Sequence, residues 1–414
     1  MPHDTPLITM LALAFVIAFA FGMIAQKFRL SPLVGYLLAG IAVGPYTPGY
    51  VADTVLAQQL AEIGVILLMF GVGLHFSPKD LVAVRWIAIP GALAQILVAT
   101  VFGLLAARTF GWGLGGGIVF GLALSVASTV VLLRALEARD DVNTDHGRIA
   151  VGWLLVEDIF MIAALLLLPP LADLLGGRPS STSDSLALTL LMTVVKIALF
   201  AALALVVGKR VIPWLLQHVA ATGSRELFTL SVLACALGIA FGAALLFDVS
   251  FALGAFFAGV IMNESDLSHD AAQRSLPFQD AFAVLFFVAI GMLFDPRIIF
   301  DAPWALLATV LIIIVGKSLA AFLIVLAFRR PLTTALTVAA SLAQIGEFSF
   351  ILAGLGVSFG LLPPEGRDLI LAGAFISITL NPLLFRMLEP VENWLRDRPD
   401  LLRKLGAREQ TNRD

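Results

Sequence analysis

Charge is what this sequence has least of. Asp, Glu, Lys and Arg supply 13% of the 414 residues, whereas 60% are hydrophobic. A water-soluble domain carries about 25% charged residues on average, so a soluble globular protein is excluded. The mean hydropathy, +0.99, says the same. Cysteine is nearly absent. Cys235 is the only one, so no disulfide can form within the chain. It lies in an apolar run and reads as a buried, inert thiol. The opening residues "MPHDTP" lack a basic segment, so no cleaved signal peptide is expected. Alternation at period two is missing, which argues against a β-barrel. HExxH and GxGD motifs are missing too, and adjacent carboxylates on one helix cannot bracket a scissile bond. An intramembrane enzyme is therefore not expected. A channel using a TVGYG-type filter finds no support either.

What the chain has is apolar runs long enough to cross a bilayer as helices, repeated along its whole length. The reading is an all-α polytopic membrane protein with about thirteen spans. The second (Pro32–Val43) and ninth (Phe251–Met262) are short, and the third (Leu56–Leu74) and tenth (Asp280–Phe294) carry glycine in the middle. Short or glycine-interrupted spans at matching places are a transporter signal. With the N-terminus outside, 20 of the basic residues fall on inner loops and the tail, and 4 on outer loops. That asymmetry obeys the positive-inside rule and places the C-terminus in the cytoplasm.

An internal repeat is visible. "FRLSPLVGYLLAG" (Phe28–Gly40) matches "FDVSFALGAFFAG" (Phe247–Gly259) at an offset of 219. "LLMFGVGLHFSP" (Leu67–Pro78) matches "LFFVAIGMLFDP" (Leu285–Pro296) at an offset of 218. Span one thus corresponds to span eight, and seven is odd, so the two six-helix repeats are inverted in the membrane. The expected organisation is a first repeat over 1–185, a linking span over 186–218, a second repeat over 219–390 and a charged cytoplasmic tail over 391–414. Inverted repeats of this kind place a substrate site near the midplane at their interface.

Polar groups gather where such a site would be. Span six (Gly147–Leu168) holds adjacent Glu157 and Asp158, and span eleven (Pro303–Phe328) holds Lys317. Span five (Gly113–Leu136) holds Ser125, Ser128 and Thr129; span twelve (Leu332–Gly356) holds Gln344 and Glu347. The repeat aligns Ser125 with Ser341 and Ser128 with Gln344. A charge at the bilayer centre costs at least about 2.5–3.5 kcal/mol, so these groups need a partner or a cavity. One lysine cannot neutralise two carboxylates, and neighbouring positions on a helix point about 100° apart. One carboxylate can face Lys317 while the other serves the cavity. Burial disfavours an ionised carboxyl and a nearby cation favours it, so such a group can be poised to exchange a proton for a hard cation. Ser128 and Thr129 equally suit packing between helices. Glu347 also suits a role in holding broken backbone. Lys196 and His75 receive no role.

These residues also carry a resemblance. "SPLVGYLLAGIAVGP", "EIGVILLMFGVGLHFSP", "LSVASTVVLLRALEAR", "GWLLVEDIF", "DAFAVLFFVAIGMLFDP", "GKSLAAF" and "SLAQIGEFSFILAGLG" resemble the monovalent cation:proton antiporter superfamily, in its Kef-type branch. The resemblance implies a thirteen-helix sodium/proton antiporter fold with two crossed, discontinuous helices. These would be spans five and twelve, crossing near Ala127–Thr129 and Ala343–Gly346. It implies a homodimer in a bacterial inner membrane, with a periplasmic N-terminus and elevator-like alternating access. The implied activity is exchange of a monovalent cation, K⁺ favoured and Na⁺ possible, for protons, with a gated cation channel as the alternative. Asp158 would bind the cation and the proton, Glu157 would stand beside it, and Lys317 would be the ion-pair partner. Ser128, Thr129, Gln344 and Glu347 would be the polar residues of the crossing. An acidic first position resembles the electrogenic type, whereas Kef-type systems often carry a neutral Gln there. Glu157 leaves both stoichiometries open. Kef-type proteins often continue into a cytoplasmic nucleotide-binding regulatory domain. No glycine-rich βαβ segment occurs in these 414 residues, so no cofactor is expected in this chain.

Overall fold

The computed structural model describes residues 6–396 apart from 29, 49–52, 76–77, 138, 143, 178–191, 193–194, 197, 201 and 248. Every regular element among them is helical. Eight helices are long and apolar enough to cross a membrane, and one bent pair makes a ninth candidate. Three shorter apolar helices, Pro32–Val43, Leu114–Ser125 and Phe251–Asn263, accompany them. The chain is a multi-pass membrane protein. Part of the expected seventh span (Leu186–Leu216), the 185/186 boundary and the end of the tail lie outside the described residues, and the side chain of His75 is not described. Lys196 is exposed.

The chain divides into two compact units, each drawing on both halves of the sequence. The first takes the described residues of 1–28, 35–77 and 182–294. It contains α1 (Pro6–Lys27), most of α2 (Pro32–Val43), α3 (Thr54–His75), α8 (Lys209–Ala221), α9 (Arg225–Phe247), α10 (Phe251–Asn263) and α11 (Ser268–Met292). Small residues, Ala14, Ala18, Ala39, Ala57 and Ala289, let its helices pack closely around Met10, Leu285 and Met292. Asp53 starts α3 by accepting from the backbone N–H groups of Val55 and Leu56 at 2.8 and 3.1 Å. Lys209 and Glu264 form an ion pair at 2.7 Å.

The second unit takes the described residues of 29–34, 78–181 and 295–414 and carries every candidate site residue. Its helices are α4 (Pro78–Thr109), α5 (Leu114–Ser125), α6 (Thr129–Glu137), α7 (Asp145–Leu171), α12 (Ile298–Asp301), α13 (Pro303–Leu311), α14 (Ser318–Ala327), α15 (Leu332–Leu342), α16 (Glu347–Ser358), α17 (Pro364–Arg386) and α18 (Leu388–Arg396). The α7 start is set by Thr144, whose hydroxyl accepts from Gly147 N at 3.1 Å, with Asp145 in the positive first turn. Fully buried Trp153 of α7 lies against Gly91 of α4, where a Cβ would come within 2.3 Å of its ring. The contact locks α4 to α7 one turn before the acidic pair.

Three helices differ from the sequence expectation. The fourth begins at Pro78, ahead of Trp86, and the tenth begins at Ser268, ahead of Asp280. The eleventh is interrupted by a π turn over Ile312–Lys317, which joins α13 to α14. Its run of β-branched residues crowds a regular α turn, and π turns of this kind are frequent at functional sites.

Candidate functional site: a buried acidic pair beside two broken helices

Two helices of the second unit break within the apolar region. The first stops at Ser125, runs extended through Val126, and resumes at Thr129. The second stops at Leu342 and resumes at Glu347, with a 43° bend between its halves. These breaks fall where the crossing was expected, at 126–128 and 343–346.

A broken helix leaves backbone N–H and C=O groups without helical partners, and in an apolar medium each must find one. Here the two breaks satisfy each other. Gly346 N donates to Val126 O at 3.2 Å. Ser128 N donates to Gln344 Oε1 at 2.9 Å, and Gln344 Nε2 returns to Ser128 O at 3.1 Å. Ser128 Oγ donates to Glu347 Oε2 at 3.2 Å. Ser349 Oγ donates to Ala123 O at 2.5 Å.

The acidic pair closes on this junction. Glu157 and Asp158 are 0% and 3% exposed. Glu157 Oε2 accepts from Ala127 N at 2.9 Å, and Asp158 Oδ2 accepts from Thr129 Oγ1 at 3.0 Å. Each therefore meets the start of α6, where the helix dipole favours negative charge. The other oxygen of each carboxyl, Glu157 Oε1 and Asp158 Oδ1, is buried with no hydrogen-bond partner. The fields of Glu347 and Glu157 both reach Asp158. Unsatisfied buried oxygens facing like charges call for a cation, a proton or water.

Lys317 is 0% exposed, at the end of the π turn. The sequence reading pairs it with Glu157. In the structure its Nζ donates to Gln344 O at 2.6 Å, on the broken backbone, and it makes no direct ion pair among the described residues. Its charge still acts on Glu157 through space. Replacing Lys317 with Met would strand the Gln344 carbonyl and remove the positive charge that acts on Glu157. A buried acceptor left unpaired costs about 1–3 kcal/mol. A lower thermal midpoint in detergent is the expected result; an unchanged midpoint would make the contact energetically neutral.

Two amides escape the sequence reading. Gln95 of α4, 0% exposed, donates Nε2 to Ser125 O at 3.0 Å. Asn381 of α17, 1% exposed, donates Nδ2 to Ala340 O at 2.9 Å. Each holds a carbonyl near the end of a half-helix. Their one sequence signal is an amide inside an apolar run. Among the described residues no group of three or more His, Cys, Asp or Glu is placed to hold a metal ion.

Comparison with known proteins places this arrangement in a family. The profile described as "Sodium/hydrogen exchanger, transmembrane" matches residues 11–388. The chain is 61% identical over 389 residues to a protein of Escherichia coli (strain K12) named putative cation/proton antiporter YbaL, covering 94% of this chain and 70% of that one. It is 34% identical over 361 residues to K(+) efflux antiporter 4 of Arabidopsis thaliana, covering 87% of this chain and 60% of the relative. The fold matches the structure of the sodium proton antiporter MjNhaP1 from Methanocaldococcus jannaschii at pH 8, with a TM-score of 0.70 over 92% of this chain and 98% of that one, at 16% identity. These relatives are named as transporters, not enzymes. The chain with the buried Glu157–Asp158 pair belongs to the transmembrane sodium/hydrogen exchanger family.

Proposed function

We propose that the protein is a secondary antiporter that exchanges a monovalent cation for protons at Asp158, with Glu157 beside it. The observation that carries the reading is the pair of buried, unpartnered carboxyl oxygens at a junction of broken helices. A carboxyl here holds either a proton or a cation. If the site turns to the other side only when occupied, exchange follows without covalent chemistry. K⁺ is favoured by the K⁺ efflux antiporters among the relatives, and Na⁺ is the competing substrate.

The finer points belong to the same proposal. Thirteen spans in two inverted repeats, an elevator-like motion and a homodimer complete the scheme. So do a bacterial inner membrane, a periplasmic N-terminus and a cytoplasmic C-terminus, which rest on the basic-residue asymmetry and the E. coli relative. The chain spans 70% of that relative's length, and a nucleotide-binding regulatory domain, as in Kef-type proteins, is the further partner in this proposal.

Purified protein in liposomes with a trapped pH-sensitive dye tests the reading. A proton gradient is imposed, then K⁺, Na⁺, Li⁺ or choline is added. Dye recovery with K⁺ or Na⁺ but not choline is the expected outcome. Cation flux without proton counterflux would mean a channel. No response to any cation from folded, inserted protein would end the transport reading.

A further inference from the structure

Gln95 has a second polar atom that the backbone does not use. Its Nε2 is committed to the Ser125 carbonyl, which fixes the amide orientation, because the flipped amide would set two acceptors against each other. Its Oε1 is then left buried with no hydrogen-bond partner. Such an atom in a fully buried side chain calls for a missing water or ion.

Its place along the helix says what it accompanies. A Cβ on Gly152 of α7 would meet Val84 and Ala88 of α4, and one on Gly91 would meet Trp153, so the contacts climb both helices together. Gln95 lies four residues beyond Gly91, and Glu157 lies four residues beyond Trp153. Four residues is one turn on the same helix face, so the amide and the carboxylate stand at the same level on adjacent helices. The backbone agrees: Gln95 binds the carbonyl of Ser125, and Glu157 binds the N–H of Ala127, two residues on. With both carboxyls ionised, three acceptor-only oxygens, Gln95 Oε1, Glu157 Oε1 and Asp158 Oδ1, are thus left unpaired around one stretch of broken backbone. Unpaired acceptors cannot satisfy one another. A hard monovalent cation, which takes carboxylate and carbonyl oxygens in place of its water, satisfies several at once.

We infer that the side-chain carbonyl of Gln95 is a further ligand of the transported monovalent cation, and so a residue that sets cation selectivity. This rests on the antiport reading for the identity of the cargo. A neutral carbonyl adds a ligand without adding charge, which favours a larger, more weakly hydrated ion over a small one.

Cation-dependent thermal stabilisation of the purified protein tests the proposal, because a ligand that binds only the folded state raises its midpoint by mass action. KCl and NaCl are titrated at constant ionic strength against choline chloride, for the unsubstituted protein, Gln95→Met and Gln95→Glu. Gln95→Met is expected to need about ten times more cation for the same rise, a loss of about 1.4 kcal/mol of binding. Gln95→Glu is expected to shift preference towards Na⁺. If Gln95→Met does not fold, Gln95→Glu decides alone. Variants that respond at the same concentrations and with the same K⁺/Na⁺ order would overturn the proposal, leaving Gln95 as a holder of the Ser125 carbonyl. A changed pH dependence with an unchanged cation response would assign Oε1 to a proton on Glu157, and also overturn it. So would an unsubstituted protein that no cation stabilises. Stabilisation without exchange in liposomes would sink the antiport reading alone.

Discussion

Asp158→Asn is expected to reduce cation-dependent proton movement in liposomes to the level of protein-free vesicles, with the folded protein intact. The amide keeps the shape of the carboxyl and can still accept from Thr129 Oγ1 through its oxygen. It carries neither the charge that draws a cation nor a proton to exchange. Stability should not fall. Asp158 stands among like charges, Glu347 and Glu157, so neutralising it relieves repulsion in a medium that screens poorly. The thermal midpoint should therefore hold or rise as transport vanishes. That combination separates an ion-carrying group from a structural one, whose loss lowers both together. Thr129→Val gives the graded companion. It removes the hydroxyl donor but keeps the carboxylate, and a rate between the two is expected. Exchange at the unsubstituted rate in Asp158→Asn would remove Asp158 from the transport step.

The acidic pair was legible in the sequence because its surroundings are so plain. In a run such as "GWLLVEDIFMIAALLLL", two carboxyls have no ordinary explanation. The breaks were legible from the family resemblance and from polar residues aligned by the repeat. Other features depend on what stands opposite in space. The sequence sets Lys317 against a carboxylate, yet its hydrogen bond is to the Gln344 carbonyl, a backbone atom freed only because α15 ends at Leu342. The π turn that carries Lys317 left no mark beyond a crowded β-branched run. Gln95 and Asn381 each bind a carbonyl thirty or more residues away, so no local pattern points to them. The early start of α11 escapes the sequence for another reason. Residues 268–279 hold His269, Asp270, Gln273 and Arg274, which look like an inner loop when scored for burial but continue the helix beyond its apolar part.

Gly346 offers the other large effect, and it acts through space, not charge. It caps α16 with φ −114° and ψ −173°, extended backbone that any residue adopts, so conformational freedom is not what requires glycine. Proximity is. A Cβ at this position would lie 2.8 Å from Ser128 Cα, 2.9 Å from Ser128 N and 3.0 Å from Ala127 C, all backbone atoms. No side chain can swing aside to make room, so the two breaks must separate. The Gly346 N to Val126 O bond at 3.2 Å and the paired Ser128–Gln344 bonds at 2.9 and 3.1 Å are all at stake. Overpacking a tight site costs about 1–3 kcal/mol, and the unpaired backbone groups add to that. Ala127 N and Thr129 would move with the break, taking with them the groups that hold Glu157 and Asp158. Gly346→Ala should lower the thermal midpoint and slow exchange at least about tenfold, the loss that each 1.36 kcal/mol of misplacement produces. Gly346→Val should abolish exchange. The control lies on the same helix: a Cβ at Gly354 meets nothing within 4 Å. Gly354→Ala should keep both stability and rate, since alanine also favours the helix. Equal behaviour of the Gly346 and Gly354 alanine variants would mean that the close approach of the two broken helices is not needed for transport.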